Sequence, residues 1–115
     1  IPFGNARALI ENDIPFALAS DFNPGSTPCF NMTQIWSLAC IKMKLTPQEA
    51  FNALTINSAY AMGLSETHGK IRIGASAPLV LTHEIPSIEY IPYSFGENTI
   101  QRVFTKPLGQ TNKYA

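Results

Sequence analysis

The sequence has little charge and no long apolar run, and each shortage excludes a class of protein. Charged residues make up 14% of the 115 residues, with eight of each sign, so the net charge is zero. Without a basic patch or an acidic run, nothing supports nucleic-acid binding or electrostatic attachment to a membrane surface. No apolar run approaches the roughly 20 residues that a membrane-spanning helix needs. We therefore expect neither a nucleic acid nor a membrane as a partner.

Cysteine is also scarce, and the start of the chain carries no export signal. Cys29 and Cys40 have no further cysteine or histidine at metal-ligand spacing, so we interpret them as reduced thiols of an intracellular protein. The chain opens with Ile1-Pro2-Phe3, without an initiator methionine or a signal-peptide pattern. We therefore expect a segment of a longer protein that is located in the cytoplasm.

Apolar residues at helical spacing predict three helices. The first is short and covers Ala6–Asn12, and the second runs from about Asn31 to Lys44. In the second helix, Met32, Trp36 and Met43 are predicted to pack in the core.

The third predicted helix opens with a capping box. Thr46 is the cap, Pro47 takes the first helical position, and Glu49 reaches back to the cap. The helix is expected to end at Gly63. Its apolar side consists of Ala50, Phe51, Leu54, Ala61 and Met62.

Strand signals occur before and after the helices. Ile14–Ser20 is a nearly continuous apolar run, which is typical of a parallel strand buried on both faces. Later alternation predicts three short strands, which are Ile71–Ile73, Leu79–Leu81 and Ile100–Thr105. Between them, Ser87–Gly96 is predicted to be an irregular loop, and Thr111–Ala115 a frayed polar tail.

Asp21 follows directly after the apolar run Ile14–Ser20. The Asn23-Pro24-Gly25 turn comes next, and then the hydroxyl pair Ser26-Thr27, which we expect to start a helix with Pro28 as its first residue. An acid at the carboxyl end of a buried strand, beside a helix amino terminus, is where α/β enzymes place metal ligands and substrate contacts.

A simpler interpretation stays open for each of these residues. Asp21 can serve only to order the turn, as aspartate often does. Asn23 and Gly25 can serve turn geometry, and Ser26 can cap a helix.

Four segments, taken in this order, resemble one protein family. They are Ser20–Ser26, Leu45–Ala50, Thr55–Ala59 and Gly69–Gly74. Together they resemble the carboxyl-terminal part of the metal-dependent amidohydrolase superfamily. Within it, Asp21–Ser26 and Tyr90–Gly96 resemble the imidazolonepropionase family. The resemblance spans about Pro15 to Gly109.

The resemblance implies an α/β fold. Residues 1–68 would form the last βα unit of a (β/α)8 barrel, with Ile14–Ser20 as the eighth strand. Residues 69–109 would supply the carboxyl-terminal strands of a composite β side domain, and 110–115 a tail. The family usually has Asp where this chain has Pro78, which leaves the geometry of the following strand open.

The resemblance also implies a reaction, which is the hydrolysis of 4-imidazolone-5-propanoate to N-formimidoyl-L-glutamate in histidine degradation. The cofactor would be Zn²⁺ or Fe, with Asp21 as both metal ligand and general base. Asn23, Gly25 and Ser26 match positions that contact the substrate, whose propionate would suit a helix amino terminus. The full-length enzyme would be a homodimer.

His68 and His83 lie in polar surroundings without a partner at ligand spacing, so we expect both to be solvated rather than metal-bound. The histidine ligands of the resembled family have no counterpart here, so we expect the chain alone to be inactive. Two alternatives remain, which are another deaminase or cyclic amidase of the superfamily and a small α/β module without enzymatic activity.

Overall fold

The computed structural model describes residues 2–75 and 78–105. These residues form a mixed α/β structure with five short helices and one two-stranded sheet. In chain order the elements are α1 (Ala6–Glu11), α2 (Met32–Lys42), α3 (Pro47–Leu54), α4 (Ile56–Ala61), β1 (Leu79–Thr82), α5 (Tyr90–Tyr93) and β2 (Ile100–Phe104).

Helices α1 and α2 confirm the first two helix predictions, but α2 is capped by a different residue. Its cap is Asn31, whose side chain accepts a hydrogen bond from the Thr33 nitrogen at 3.0 Å. The expectation that Ser26-Thr27 and Pro28 start a helix is wrong. Thr27 instead forms a β-bridge with Asn23, which commits its backbone to the turn.

The third predicted helix is capped as expected but is not continuous. Thr46 and Glu49 form both hydrogen bonds of the capping box. The helix breaks at Thr55 (φ −117°, ψ −83°), so that α3 and α4 are separate. The Thr55 hydroxyl donates to the Phe51 carbonyl at 2.7 Å, a bond by which threonine competes with regular helix geometry. Gly63 (φ +71°) follows α4, as predicted for a helix end.

The core is small and built mainly from alanine around one tryptophan. Trp36 is buried, stacks on Phe51 at 5.1 Å between ring centroids, and donates its Nε1 hydrogen to the Pro47 carbonyl at 3.0 Å. The core placement of Met32 is wrong, since its side chain is exposed, and Met43 only packs against the edge of the core. The buried cluster consists of Ala6, Trp36, Ala39, Leu45 and Ala50.

The apolar side of the third predicted helix is also shorter than expected. Ala50 is fully buried and Leu54 packs against the core. Ala61 and Met62 are exposed, because the break at Thr55 redirects α4 away from the core. Before the break Phe51 stacks on Trp36 but is still exposed at 37%, so the predicted burial holds only for Ala50 and Leu54.

The segment Ile14–Ser20 is extended, but it does not form the predicted strand. Phe16 and Leu18 pack against the core, whereas Ala17 and Ala19 are exposed, so only one face is covered. A parallel strand needs neighbouring strands, and no described residue pairs with this segment in a sheet ladder. The expectation of a strand buried on both faces is therefore wrong for this structure.

The antiparallel pair β1–β2 confirms two of the three later strands. Leu79 lies opposite Phe104, and the register shifts by a bulge between Leu81 and Thr82. Pro78 directly precedes β1, where its missing N–H removes no ladder bond. The proline at position 78 is therefore compatible with the strand that follows it.

The first of the three later strands, Ile71–Ile73, and the predicted loop Ser87–Gly96 both differ from expectation. Ile71–Ile73 forms no strand, and both isoleucines are exposed. Within the expected irregular loop, Pro92 lies in the short helix α5, and its carbonyl accepts the Ser37 hydroxyl of α2 at 2.8 Å. The predicted tail Thr111–Ala115 lies outside the described residues.

Candidate active site

A closed turn follows the extended segment and contains all four predicted site residues, which are Asp21, Asn23, Gly25 and Ser26. The Asn23 nitrogen donates to the Thr27 carbonyl at 3.0 Å, and the Thr27 nitrogen donates back to Asn23 at 3.3 Å. This bridge closes a loop whose tip carries Gly25 and Ser26. We call residues 21–27 the site turn.

The Asn23 side chain holds the site turn together. Its Oδ1 accepts hydrogen bonds from the Gly25 nitrogen at 3.0 Å, the Ser26 nitrogen at 2.8 Å and the Ser26 hydroxyl at 3.1 Å. Its Nδ2 donates to the Asp21 carbonyl at 2.7 Å. The structure therefore brings together all four predicted site residues, with Asn23 at their centre.

This geometry corrects one part of the substrate expectation. No helix begins at Ser26, and the N–H groups of Gly25 and Ser26 already donate to Asn23. A helix amino terminus that could bind the propionate of the substrate is therefore not present at this position. The Ser26 hydroxyl, which can rotate and also accept, is the polar group at the tip that remains adaptable.

Asp21 presents a free carboxylate. The residue is exposed, and its side chain makes no hydrogen bond or ion pair with any residue the structure describes. Its backbone is left-handed (φ +50°), a conformation that aspartate tolerates better than most residues. The interpretation that the Asp21 side chain orders the turn is therefore wrong, because the Asn23 side chain does so.

An aromatic pair, one ring within the site turn and one just after it, was not expected from the sequence. Phe22 and Phe30 meet edge to face, with ring centroids 5.7 Å apart and planes at 85°. Both rings are exposed, at 58% and 76% of the residue surface. This exposed pair places an apolar surface beside the polar groups of the turn, and the sequence signal for it was Phe22 directly after Asp21.

Comparison with known proteins places this geometry in a family. A family model described as "Amidohydrolase family" matches residues 3–91, which include the whole site turn. The chain belongs to the amidohydrolase family. Within 2–75 and 78–105, this amidohydrolase chain has no helix long and apolar enough to cross a membrane.

Individual relatives of this amidohydrolase chain carry one name. It is 58% identical over 104 residues to a protein of Christiangramia forsetii named imidazolonepropionase, covering 90% of this chain and 25% of the relative. An imidazolonepropionase of Flavobacterium johnsoniae is 58% identical over 103 residues, with the same coverage. One of Bacillus thuringiensis is 43% identical over 102 residues, covering 89% and 24%. The chain thus spans about a quarter of the length of these curated relatives.

The amidohydrolase superfamily is metal-dependent, and its members hold the metal ion with several side chains. The described residues contain no group of three or more His, Cys, Asp or Glu side chains that could hold one. A catalytic zinc ion usually takes three protein ligands, of which Asp21 could be one. The described residues therefore do not form a complete metal site.

The two histidines do not extend the site. His83 is exposed, as expected, and its backbone nitrogen donates to the Thr99 carbonyl at 2.9 Å. His68 is half-buried, and its Nδ1 lies 2.7 Å from the Thr67 hydroxyl oxygen, so this residue is only partly exposed to solvent.

Proposed function

We propose that this chain is the carboxyl-terminal part of an imidazolonepropionase. The enzyme hydrolyses the cyclic amide of 4-imidazolone-5-propanoate to N-formimidoyl-L-glutamate in histidine degradation. The observation that carries the proposal is the free carboxylate of Asp21 on the hydrogen-bonded site turn. The identity of 58% to two proteins named imidazolonepropionase supports it.

In this proposal Asp21 moves the proton of the attacking water. The water oxygen forms a bond to the ring carbonyl carbon, the carbon–nitrogen bond breaks, and the ring opens to a formimidoyl amine and a carboxylic acid, which releases its proton to solvent. Asp21 accepts a proton from the water and delivers it to the leaving nitrogen. An exposed carboxylate without a competing partner among the described residues suits this role.

Gly25 and Ser26 line the substrate at the tip of the site turn, and Asn23 holds both in place. A Cβ atom at Gly25 would lie 3.4 Å from the Asn23 Oδ1, so a glycine keeps the tip open beside the amide. The Ser26 hydroxyl can exchange its bond to Asn23 for one to a polar atom of the substrate.

The finer parts of the proposal concern the full-length enzyme. The extended segment Ile14–Ser20 serves there as the eighth strand of a (β/α)8 barrel that includes residues 1–68, and residues 69–109 contribute to a β side domain. Asp21 would be one ligand of a Zn²⁺ or Fe ion there, and such an ion would lower the pKa of a bound water and polarise the carbonyl. The assembled enzyme is a cytoplasmic homodimer.

The test uses the full-length product of the gene that encodes this chain. The purified protein is assayed with 4-imidazolone-5-propanoate, and with guanine and hydantoin as substrates of related cyclic amidases and deaminases. We expect turnover of the first substrate alone. Turnover of guanine or hydantoin without turnover of the imidazolone would overturn the proposal.

The 115-residue chain by itself provides a second test. We expect it to be inactive and to bind no metal tightly, because the described residues offer a single ligand at the site turn. Binding of zinc at sub-micromolar concentration in a calorimetric titration would contradict this expectation.

A further inference from the structure

The aromatic pair beside Asp21 stays outside the core that the described residues form. Phe22 and Phe30 contact each other edge to face. Both rings are exposed, and neither joins the buried cluster around Trp36. Two large apolar side chains that meet at the surface form a continuous apolar patch, and such patches are typical of binding surfaces. We call Phe22 and Phe30 the aromatic wall.

Phe22 lies between two residues whose main-chain groups are fixed by hydrogen bonds. On one side, the Asp21 carbonyl accepts from the Asn23 Nδ2 at 2.7 Å. On the other side, the Asn23 nitrogen donates to the Thr27 carbonyl at 3.0 Å. The bonds that close the site turn therefore also set the place of this ring, one residue after the carboxylate.

Phe30 is anchored in the same way, but to helix α2. The Cys29 Sγ donates to the Gln34 Oε1 at 3.1 Å. The Asn31 side chain caps α2 and accepts from the Thr33 nitrogen at 3.0 Å. Since both neighbours of Phe30 are tied to the first turns of α2, little main-chain freedom remains to be lost when a ligand binds to the wall.

The aromatic wall depends on local contacts alone. Every contact that places it joins two residues within 21–34. None of these contacts uses the main chain of Ile14–Ser20, so strands that pair with that segment in a barrel leave the wall intact. The wall is therefore expected to keep its place beside Asp21 in the full-length enzyme.

The polar groups of the site turn can contact only part of the proposed substrate. The carboxylate of Asp21 and the hydroxyl of Ser26 suit its polar atoms. The imidazolone also has a flat ring and a chain of methylene groups, for which these two side chains offer no apolar contact. Sites for small molecules cover such parts mostly with apolar and aromatic side chains.

We propose that Phe22 and Phe30 are specificity-determining residues that contact the ring and the methylene groups of the substrate. The inference rests on the proposed function, because it names the side chains that cover the apolar part of that substrate. An apolar contact of this kind is made equally in the bound substrate and in the transition state. Its loss therefore raises KM and leaves kcat nearly unchanged.

The test compares single variants of both residues in the full-length protein. Phe22→Ala and Phe30→Ala should each raise KM for 4-imidazolone-5-propanoate about 5- to 20-fold, with kcat changed less than about threefold. The leucine variants Phe22→Leu and Phe30→Leu keep much of the apolar volume, so their KM should rise less than about threefold. The inhibition constant of the product N-formimidoyl-L-glutamate should rise with KM, because the product keeps the methylene groups.

The double alanine variant and a matched control complete the comparison. Because Phe22 and Phe30 contact each other, the effect of the double variant on KM should be smaller than the product of the two single effects. Phe95→Ala is the control. Phe95 is exposed to a similar extent, 55% against 58% for Phe22, but lies between α5 and β2. Its kinetic constants should equal those of the wild type.

The outcomes distinguish this inference from the proposed function. Normal KM in both alanine variants of an active enzyme would overturn the inference alone. If KM stays normal while the unfolding midpoint falls, another segment of the full-length chain covers the wall, and the inference is overturned. A fall in kcat at normal KM would overturn it too, because the wall would then act only on the placement of Asp21. A wild type without turnover of the imidazolone would overturn the proposed function and this inference with it. If an alanine variant does not fold, a normal KM and product inhibition constant in both leucine variants would overturn the inference.

Discussion

The Asn23 amide oxygen accepts hydrogen bonds from both the main-chain nitrogen and the hydroxyl of Ser26, at 2.8 and 3.1 Å. Together with the bond from Nδ2 to the Asp21 carbonyl, this single side chain links the carboxylate-bearing residue to the tip of the site turn. Asn23 therefore acts on the site through the geometry of the loop, and its loss should disturb Asp21 and Ser26 at once.

Asn23→Ala should lower kcat/KM about 10- to 100-fold, because the tip of the turn and Asp21 lose their common anchor. Asn23→Asp keeps the acceptor and loses the donor to Asp21, so its value should lie between those of the wild type and Asn23→Ala. Asn98→Ala is the control. The Asn98 side chain also accepts a main-chain hydrogen bond, from the Ile100 nitrogen at 3.1 Å, but it lies before β2 and outside the site turn. Equal kinetics of Asn23→Ala and Asn98→Ala would contradict the prediction.

Gly69→Ala should destabilise the fold strongly. The added Cβ would approach the Ile56 Cα to 3.0 Å and two further atoms more closely, in a left-handed backbone that alanine rarely adopts. We expect a loss of about 2–4 kcal/mol in the free energy of unfolding, from backbone strain and overpacking together. Denaturant unfolding of the full-length protein measures it.

Gly74→Ala separates the two causes. Gly74 has nearly the same backbone (φ +85°), and no described atom lies within 4 Å of its would-be Cβ. Its loss should be about 1 kcal/mol, the contribution of the left-handed conformation alone. A Gly69 variant no less stable than the Gly74 variant would show that the loop does not pack on α4 as described.

The Glu49 carboxylate makes the free energy of unfolding depend on pH in the acid range. Its carboxylate accepts two hydrogen bonds from Arg7, at 3.1 and 2.6 Å, and one from the Thr46 nitrogen at 2.8 Å. The guanidinium and the capping bond hold the pKa of Glu49 at about 2, below its ordinary 4.5. Because the folded-state pKa is lowered, this stabilisation is present above pH 4.5 and is lost as the pH falls towards 2.

Glu49→Gln should therefore flatten the stability curve in that acid range. At neutral pH we expect a loss of about 1–2 kcal/mol, smaller than the full shift would give because the side chain is still partly in water. The measurement is the unfolding midpoint between pH 7 and pH 3. Glu84→Gln, at an exposed glutamate outside any ion pair among described residues, should keep the wild-type curve.

The sequence predicted those features of the fold that depend on short local patterns of residues. The capping box at Thr46, the end of α4 at Gly63 and the two strands β1 and β2 follow from such signals, whereas the pairing of the strands was not predicted. The break at Thr55 did not, because a threonine hydroxyl in a helix is tolerated or disruptive depending on what packs beside it. Ile14–Ser20 failed for a similar reason, since a parallel strand exists only with neighbours.

The candidate site shows the same division. The sequence predicted which residues meet, because Asp21, Asn23, Gly25 and Ser26 lie within six positions of each other. It did not predict that the Asn23 amide takes up the N–H groups expected to face an anion. Nor could it predict the hydrogen bond from Asn57 to the Phe16 carbonyl, since the two residues are 41 positions apart in the chain.

Asp21→Asn should abolish activity without a loss of stability. The amide cannot accept the proton of water, so we expect kcat to fall by about 10²–10⁴-fold. Asparagine tolerates the left-handed backbone at this position (φ +50°), and the exposed carboxylate supports no ion pair within the described residues, so the unfolding midpoint of the metal-free protein should stay unchanged. Asp13→Asn is a close control, because Asp13 is also exposed and left-handed (φ +54°) but lies at the other end of the extended segment. Full activity in Asp13→Asn together with loss of activity in Asp21→Asn would support proton transfer by Asp21. An active Asp21→Asn enzyme would show that Asp21 takes no part in the chemistry.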